Sequence, residues 1–298
     1  MKNRDAFSAF HPAVLCGYYA LVLVFSMFLT HPLCLAASLL GALSYAAKLR
    51  GGRAVLRSLA WMAPVWLLAA AVNTLFNHEG ATILTYFSSG NPLTLESMLY
   101  GLSAGGMLAA VLLWFTTYQA VMTSDKFVYL FGRVIPALSL VLSMTLRFVP
   151  KFKAQLKVVS TAQKCVGRDA STGGVIRRAR NGIRILSIMI TWSLENAIET
   201  ADSMKSRGYG LPGRTAFSIF RFDRRDKLAL TALLGCVFYI LLGAWLGGIK
   251  WRYYPSIKGR LTGPLYLSVL AVYLLLCALP LLINDWEDRK WKRLISEA

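Results

Sequence analysis

Acidic side chains are few: 14 Asp and Glu stand against 33 Lys and Arg in 298 residues, a formal charge of +19. Charge of either sign is thin, at 16% of the chain where soluble domains carry about 25%. With 56% apolar residues and a mean hydropathy of +0.51, that shortage excludes a disordered chain and an ordinary soluble enzyme. Cysteine has no C-x-x-C pair: Cys16, Cys34, Cys236 and Cys277 lie in apolar runs and Cys165 stands alone, which excludes a disulfide framework. Histidine is limited to His11, His31 and His78. His78-Glu79 lacks the rest of H-E-x-x-H, and neither a Gly-rich phosphate loop nor G-x-S-x-G occurs. Glu195 and Glu199 lie one helical turn apart but beside Arg and Lys, the pattern of a solvated face. What is left is an integral membrane protein. Its positive excess reads as positive-inside topology and contact with anionic lipid, or as a groove for an acidic protein partner, rather than as nucleic-acid binding.

A crossing helix needs about 20 mostly apolar residues. Residues 6–47 contain no Asp, Glu, Lys or Arg. His31-Pro32 divides that run, because proline starts a helix more readily than it sits inside one. Spans are expected near 13–30 and 32–47. Met1-Lys2-Asn3-Arg4 and Ala36-Ala37 imitate a cleaved signal, but the apolar stretch runs on past them, predicting an uncleaved first helix. Lys48, Arg50, Arg53 and Arg57, with no acid among them, mark a cytoplasmic loop. Third and fourth spans are expected at 58–77 and 97–124, separated by a stretch without Lys or Arg, as an outside loop should be. Gly101, Gly105 and Gly106 on the fourth suit close helix packing. The last two spans are expected at 228–249 and 261–284, before a charged tail at 285–298. Lys250, Arg252, Lys258 and Arg260 fall in the loop that six spans place outside. Either the charge bias is broken there, or one of the last two segments is not a simple crossing. These spans hold essentially no ionisable group, which argues against a standalone channel or secondary transporter.

The middle of the chain differs. Residues 123–226 carry 18 Lys and Arg against 7 Asp and Glu, and their longest uncharged stretch, 134–146, is 13 residues. That is about 20 Å of helix against a bilayer core of about 30 Å, and each Arg or Lys at the bilayer centre costs roughly 2.5–3.5 kcal/mol. This part is expected outside the lipid as long helices. A short one over 126–133 is capped by Ser124-Asp125, a second runs over about 136–166 with a break or bend at Pro150, and a third runs over about 172–207. On the third, Ile183, Leu186, Ile190, Leu194, Ala197, Ala201 and Met204 recur at three- and four-residue spacing as one apolar stripe. It must be buried against the second helix, the spans or another protein. The second and third helices stop at Gly167 and Gly208, each with cations beside the stop. A guanidinium on a rigid helix tip can make bidentate contacts with a partner's carboxylates.

These ends resemble the two Ala-Arg-Gly motifs that close the coupling helices of the transmembrane T component of energy-coupling factor (ECF) transporters, importers of vitamins and metals. Ser206-Arg207-Gly208, followed by Tyr209, matches the second motif with Ser for Ala. Cys165-Val166-Gly167 occupies the first, preceded by Ala162-Gln163-Lys164; Val166 stands where the family has Arg, and Arg168 follows two positions on. Leu146-Arg147-Phe148-Val149-Pro150 and His31-Pro32-Leu33 resemble two further family stretches, so the likeness covers roughly residues 10–215.

The resemblance implies a subunit that is not an enzyme and binds no cofactor or metal itself, ATP being used by its partners. Those partners would be two cytoplasmic ABC ATPase subunits and a small membrane S subunit that binds the vitamin or transition metal. Arg207, with Ser206 and Gly208, would dock one ATPase. The tip of Cys165, Val166, Gly167 and Arg168 would engage the other, and the apolar stripe would hold the S subunit or pack within the chain. The protein would sit in the cell membrane with its N-terminus and coupling helices cytoplasmic. The expected fold is all-α, an integral membrane protein with about six transmembrane helices, five if 228–284 is irregular. Long amphipathic coupling helices would be inserted between spans four and five, giving regions 1–123, 124–226, 227–284 and 285–298. Two alternatives stand beside this reading: the permease of an ordinary ABC importer, which uses one short coupling loop, and a membrane-embedded enzyme.

Overall fold

The computed structural model describes residues 5–86, 92–169, 171–209, 211, 220–259 and 263–296. Among them the helices in chain order are α1 (Pro12–Phe28), α2 (Pro32–Arg50), α3 (Gly52–Phe76), α4 (Leu95–Val121), α5 (Ser124–Val134), α6 (Pro136–Cys165), α7 (Val175–Ser206), α8 (Arg224–Trp245) and α9 (Pro264–Ser296). Two small antiparallel hairpins, β1 (Ile83–Tyr86) with β2 (Pro92–Thr94) and β3 (Trp251–Arg252) with β4 (Lys258–Gly259), lie in the α3–α4 and α8–α9 connections. The chain folds as an all-α membrane protein in two units, Met1–Phe127 with Phe220–Ala298, and Val128–Ile219.

The first unit is a helical bundle. Five of its helices, α2, α3, α4, α8 and α9, are long and apolar enough to cross a membrane, while α1, also apolar, has 17 residues. The expectation of about six spans therefore includes one short helix. Proline opens both α1 and α2, and the imidazole Nδ1 of the preceding histidine accepts the next free N–H: Ala13 N to His11 at 3.2 Å, Leu33 N to His31 at 3.3 Å. A proline at the first position wastes no donor, and the histidine satisfies one of the orphan amides behind it. The core consists of large side chains, Tyr18, Tyr19, Tyr45, Trp114 and Tyr273, all fully buried, and the polar tips of four of them, Tyr18, Tyr45, Trp114 and Tyr273, are hydrogen-bonded. Trp114 Nε1 donates to Ser38 Oγ at 3.0 Å, and Tyr18 OH donates to the Leu276 carbonyl at 3.1 Å. The α4 glycines do allow close approach: Gly101 and Gly105 face α3 at Ala70 and Trp66, and Gly106 faces Leu35 of α2.

The contacts at the two ends of the bundle settle its topology. At one end, Tyr253 donates to the Thr30 carbonyl at 3.0 Å and lies 2.8 Å from Ser103 Oγ, while Asn77 Nδ2 donates to Tyr254 OH at 3.0 Å. The α8–α9 connection thus packs on the α1–α2 turn and beside the α3–α4 connection. At the other end, Asn284 Oδ1 accepts from Ala6 N at 2.7 Å and Phe7 N at 3.2 Å, and Asp226 Oδ1 accepts from His11 N at 2.9 Å. Hence α8 and α9 run antiparallel as two regular helices, each long and apolar enough to cross a membrane, so neither is irregular. Lys250, Arg252 and Lys258 do lie at the end where Asn77 meets Tyr254; Arg260 is outside the described residues. The expected separate tail is instead the last part of α9, whose 33 residues reach about 50 Å and overrun the bilayer core.

In the second unit, α6 and α7 form an antiparallel pair. Lys151 Nζ donates to Asn196 Oδ1 at 2.7 Å and lies over the Trp192 ring, Phe152 meets Trp192 edge-on at 5.4 Å, and Val159 packs on Ile185 and Met189. Of the two outcomes expected at Pro150, a break or a bend, the break does not occur: α6 runs on through it. One missing donor within a 30-residue helix is tolerated where the following turn, through Lys151 and Phe152, is held by α7.

Candidate functional site

The two glycine-ended helices close in the same way. At the end of α6, Gly167 N donates to the Lys164 carbonyl and Arg168 N to the Gln163 carbonyl, both at 2.9 Å, with Gly167 at φ +74°. At the end of α7, Gly208 N donates to Lys205 O and Tyr209 N to Met204 O, both at 3.0 Å, with Gly208 at φ +76°. Each is a Schellman closure, in which a left-handed residue lets the chain fold back on the last carbonyls; a side chain there would be strained. Matching the two closures bond by bond sets Cys165 with Ser206, Val166 with Arg207 and Gly167 with Gly208. Val166, 64% exposed, therefore occupies the position that Arg207 holds on the other helix. Arg168 sits two residues later, past the reversal, and is exposed. Its guanidinium starts from a different direction, so it is no simple replacement.

Because α6 and α7 are antiparallel, these tips point to opposite ends of the pair. Asn181 Nδ2 donates to the Asp169 carbonyl at 2.9 Å and ties the first tip to the start of α7. The closure at Gly208 lies about 40 Å further along α7 at 1.5 Å per residue. The fold thus gathers Cys165, Val166, Gly167 and Arg168 with the first turns of α7, and holds Ser206, Arg207 and Gly208 far from them. Residues 210 and 212–219, beyond the second tip, lie outside the described residues.

The apolar stripe is not the face of α7 that packs on α6. Asn181, Ile185 and Met189 are the buried positions of α7, with Ile188 and Trp192 partly buried beside them. Ile183, Leu186, Ile190, Leu194, Ala197 and Ala201 are exposed, Ile183 at 67%, and Met204 is half-buried. Periodicity marked an apolar ridge correctly but could not choose between two of them. The shorter ridge won because Trp192 and Met189 fill the space against Phe152 and Val159.

Sequence reasoning also missed a clamp at the second end of the bundle. Asn284 Nδ2 donates to Asp5 Oδ1 at 2.6 Å, Tyr45 OH to Asp5 Oδ2 at 3.1 Å, and Lys126 Nζ to the Ser8 carbonyl at 2.6 Å and the Val121 carbonyl at 3.0 Å. Lys126, on α5, thereby fixes the point where the chain leaves α4. Burial pushes its ammonium below the usual lysine range, while Asp5 acts the other way. The available signals were Asn284 closing an apolar run and Asp223 with Asp226 three residues later, which form a capping box on α8. Among the described residues, no group of three or more His, Cys, Asp or Glu is placed to hold a metal ion.

Residues 11–219 match the cobalt transport protein family, CbiQ, a stretch holding α1–α7 and both tips. The chain belongs to this family. It is 34% identical over 119 residues to the energy-coupling factor transporter transmembrane protein EcfT of Leuconostoc gelidum subsp. gasicomitatum, covering 39% of this chain and 44% of that protein. It is 28% identical over 194 residues to the protein of the same name from Brevibacillus brevis, covering 61% and 72%. A third, from Acidaminococcus fermentans, is 32% identical over 149 residues, covering 48% and 55%. The matched stretch spans less than half the length of the first of these relatives. The chain is thus a multi-pass transmembrane T component of the ECF type, and the family is one of transporter components.

Proposed function

We propose that this chain is the energy-coupling subunit of an ECF-type importer, passing ATP-driven motion from two cytoplasmic ABC ATPases to a membrane S subunit that captures a vitamin or transition metal. The observation that carries this reading is the pair of identically closed helix tips at opposite ends of one antiparallel helix pair. Two sites about 40 Å apart along a stiff rod suit two motor subunits that approach one another, since a displacement at either tip moves the whole rod. Arg207 anchors one ATPase through charge-assisted bonds, aided by the small Ser206 and the turn at Gly208. The other engages the tip of Cys165, Val166, Gly167 and Arg168. The exposed stripe from Ile183 to Met204 is the face offered to the S subunit. The side of the bundle carrying Lys48, Arg50, Arg53 and Arg57, the N-terminal clamp and the start of α5 is cytoplasmic, in line with the positive-inside bias.

The test is purification of the tagged full chain from its own membranes in mild detergent. Two nucleotide-binding subunits and one small, very apolar membrane protein are expected with it. A chain that purifies alone and still supports uptake would overturn the reading.

A further inference from the structure

The first tip continues into a groove on the start of α7. Arg168, beyond the α6 closure, and Arg177, Arg180 and Arg184, on one face of α7, line a single open groove of about 740 Å³ with Gly167 and Asn181. Residues 164–184 hold six Lys and Arg and one acid, Asp169. That carboxylate is already engaged: it accepts from Ser171 N at 2.9 Å and Ser171 Oγ at 2.7 Å, and lies 3.9 Å from Lys164 Nζ. Among the described residues, none of the four groove arginines forms an ion pair. Arginine fans on one concave wall repel each other unless an anion enters between them, and bidentate carboxylate binding is what their geometry favours.

The walls also hold Val175 and Ile176, 82% and 79% exposed on the first turn of α7. A site made for a small anion has no use for two large apolar side chains at its rim. A flat bilayer surface could meet those two residues, yet it would not enter a concavity whose floor includes Asn181, a buried side chain holding the α6–α7 turn. A protein segment that carries carboxylates and an apolar patch meets both the charge and the shape.

We propose that this groove is the docking surface for an acidic, partly apolar segment of one nucleotide-binding subunit, and that Arg177, Arg180 and Arg184 supply the charge that Val166 fails to supply at the first tip. The first tip is then a composite of two helices, whereas the second relies on Arg207. This proposal rests on the energy-coupling reading above and assigns the partner chemistry of its degenerate end.

The experiment compares three forms of the tagged full chain: wild type, the triple variant Arg177→Ala/Arg180→Ala/Arg184→Ala, and Arg207→Ala. Each is purified from its own membranes, moved into nanodiscs of purely zwitterionic lipid or with anionic lipid added, and the retained nucleotide-binding subunits are quantified. All three arginines are exposed, and retention of the small membrane partner verifies folding. The triple variant is expected to retain about a tenth or less of the wild-type nucleotide-binding subunits in both lipids, and the equivalent triple lysine variant is expected to recover part of the loss. Undiminished retention by the triple variant, with loss in Arg207→Ala, overturns this proposal and leaves the energy-coupling reading standing. Undiminished retention in both variants overturns the two together. Loss confined to anionic nanodiscs assigns the groove to lipid headgroups and likewise overturns the proposal.

Discussion

The two units of this protein solve burial in opposite ways. The bundle surrounds Tyr18, Tyr19, Tyr45, Trp114 and Tyr273 with helices on all sides, and its clamp draws Asp5, Asn284 and Lys126 into one hydrogen-bonded lid. The unit Val128–Ile219 buries Val159, Ile185 and Met189 between two helices and leaves Ile183, Leu186, Ile190 and Leu194 open. A bundle in lipid needs no further cover, because the hydrocarbon solvates its outward apolar faces. A helix pair carrying Lys and Arg along its length is expected in water, where an exposed apolar ridge would mark an interaction surface. The sparse core of this unit suits the proposed lever: its surface would be left for partners, and long helices rather than a deep interior would give it stiffness.

The sharpest way to test that division is Arg207→Glu. It is expected to abolish uptake and association with the nucleotide-binding subunits, yet leave membrane insertion and detergent melting unchanged; normal copurification would remove Arg207 from the mechanism. The opposite lesion, Trp114→Ala, empties the bundle core and is expected to cost about 3–5 kcal/mol, read as a fall in detergent melting temperature. Its truncated counterpart in the lever, Ile185→Ala, is expected to leave that melting in place and speed proteolysis within 128–219 instead. If both variants melt alike, the two units do not fold separately.

At the tips the expected effects are smaller. Arg168→Ala should weaken pull-down of the nucleotide-binding subunits more than Val166→Ala, and the reverse order would make the first tip hydrophobic. Gly208→Ala forces a side chain into φ +76° and is expected to destabilise the α7 end by about 1 kcal/mol, seen as faster amide exchange at Gly208 and Tyr209.

The smallest effect concerns the lid. Lys126 holds its proton less firmly when folded than when unfolded, so the unfolded chain binds more protons just below the ordinary lysine value, and stability should rise with pH across that alkaline window. Lys126→Met should flatten that rise in a melting-temperature profile. An unchanged slope would show that the buried ammonium is not the source.

Much of this was legible before any coordinates. The charge-free runs located each apolar helix, though α3 begins six residues earlier and α9 ends twelve residues later than expected, since a crossing helix must be apolar on all sides and proline and glycine punctuate it. His31-Pro32 was read as a helix start, and Gly167 and Gly208 as helix stops, because each follows from local backbone chemistry. The points that the chain left open share a cause. Pro150 permits two outcomes, the two ridges of α7 are both apolar, and the cations at 250–258 contradict a statistical rule; each was decided by neighbours distant in sequence.

The order of hydrophobic and cationic segments, and the chemistry of the two tips, were written in the chain itself, because solvation of a single helix and closure of its last turn are local matters. Which ridge of α7 packs on α6, that α8 and α9 run antiparallel as regular helices, and that Arg168 past the α6 closure shares one groove with three arginines of α7 were settled only by packing. Such choices depend on the shapes of surfaces that meet across long stretches of chain, and no window of sequence contains both sides.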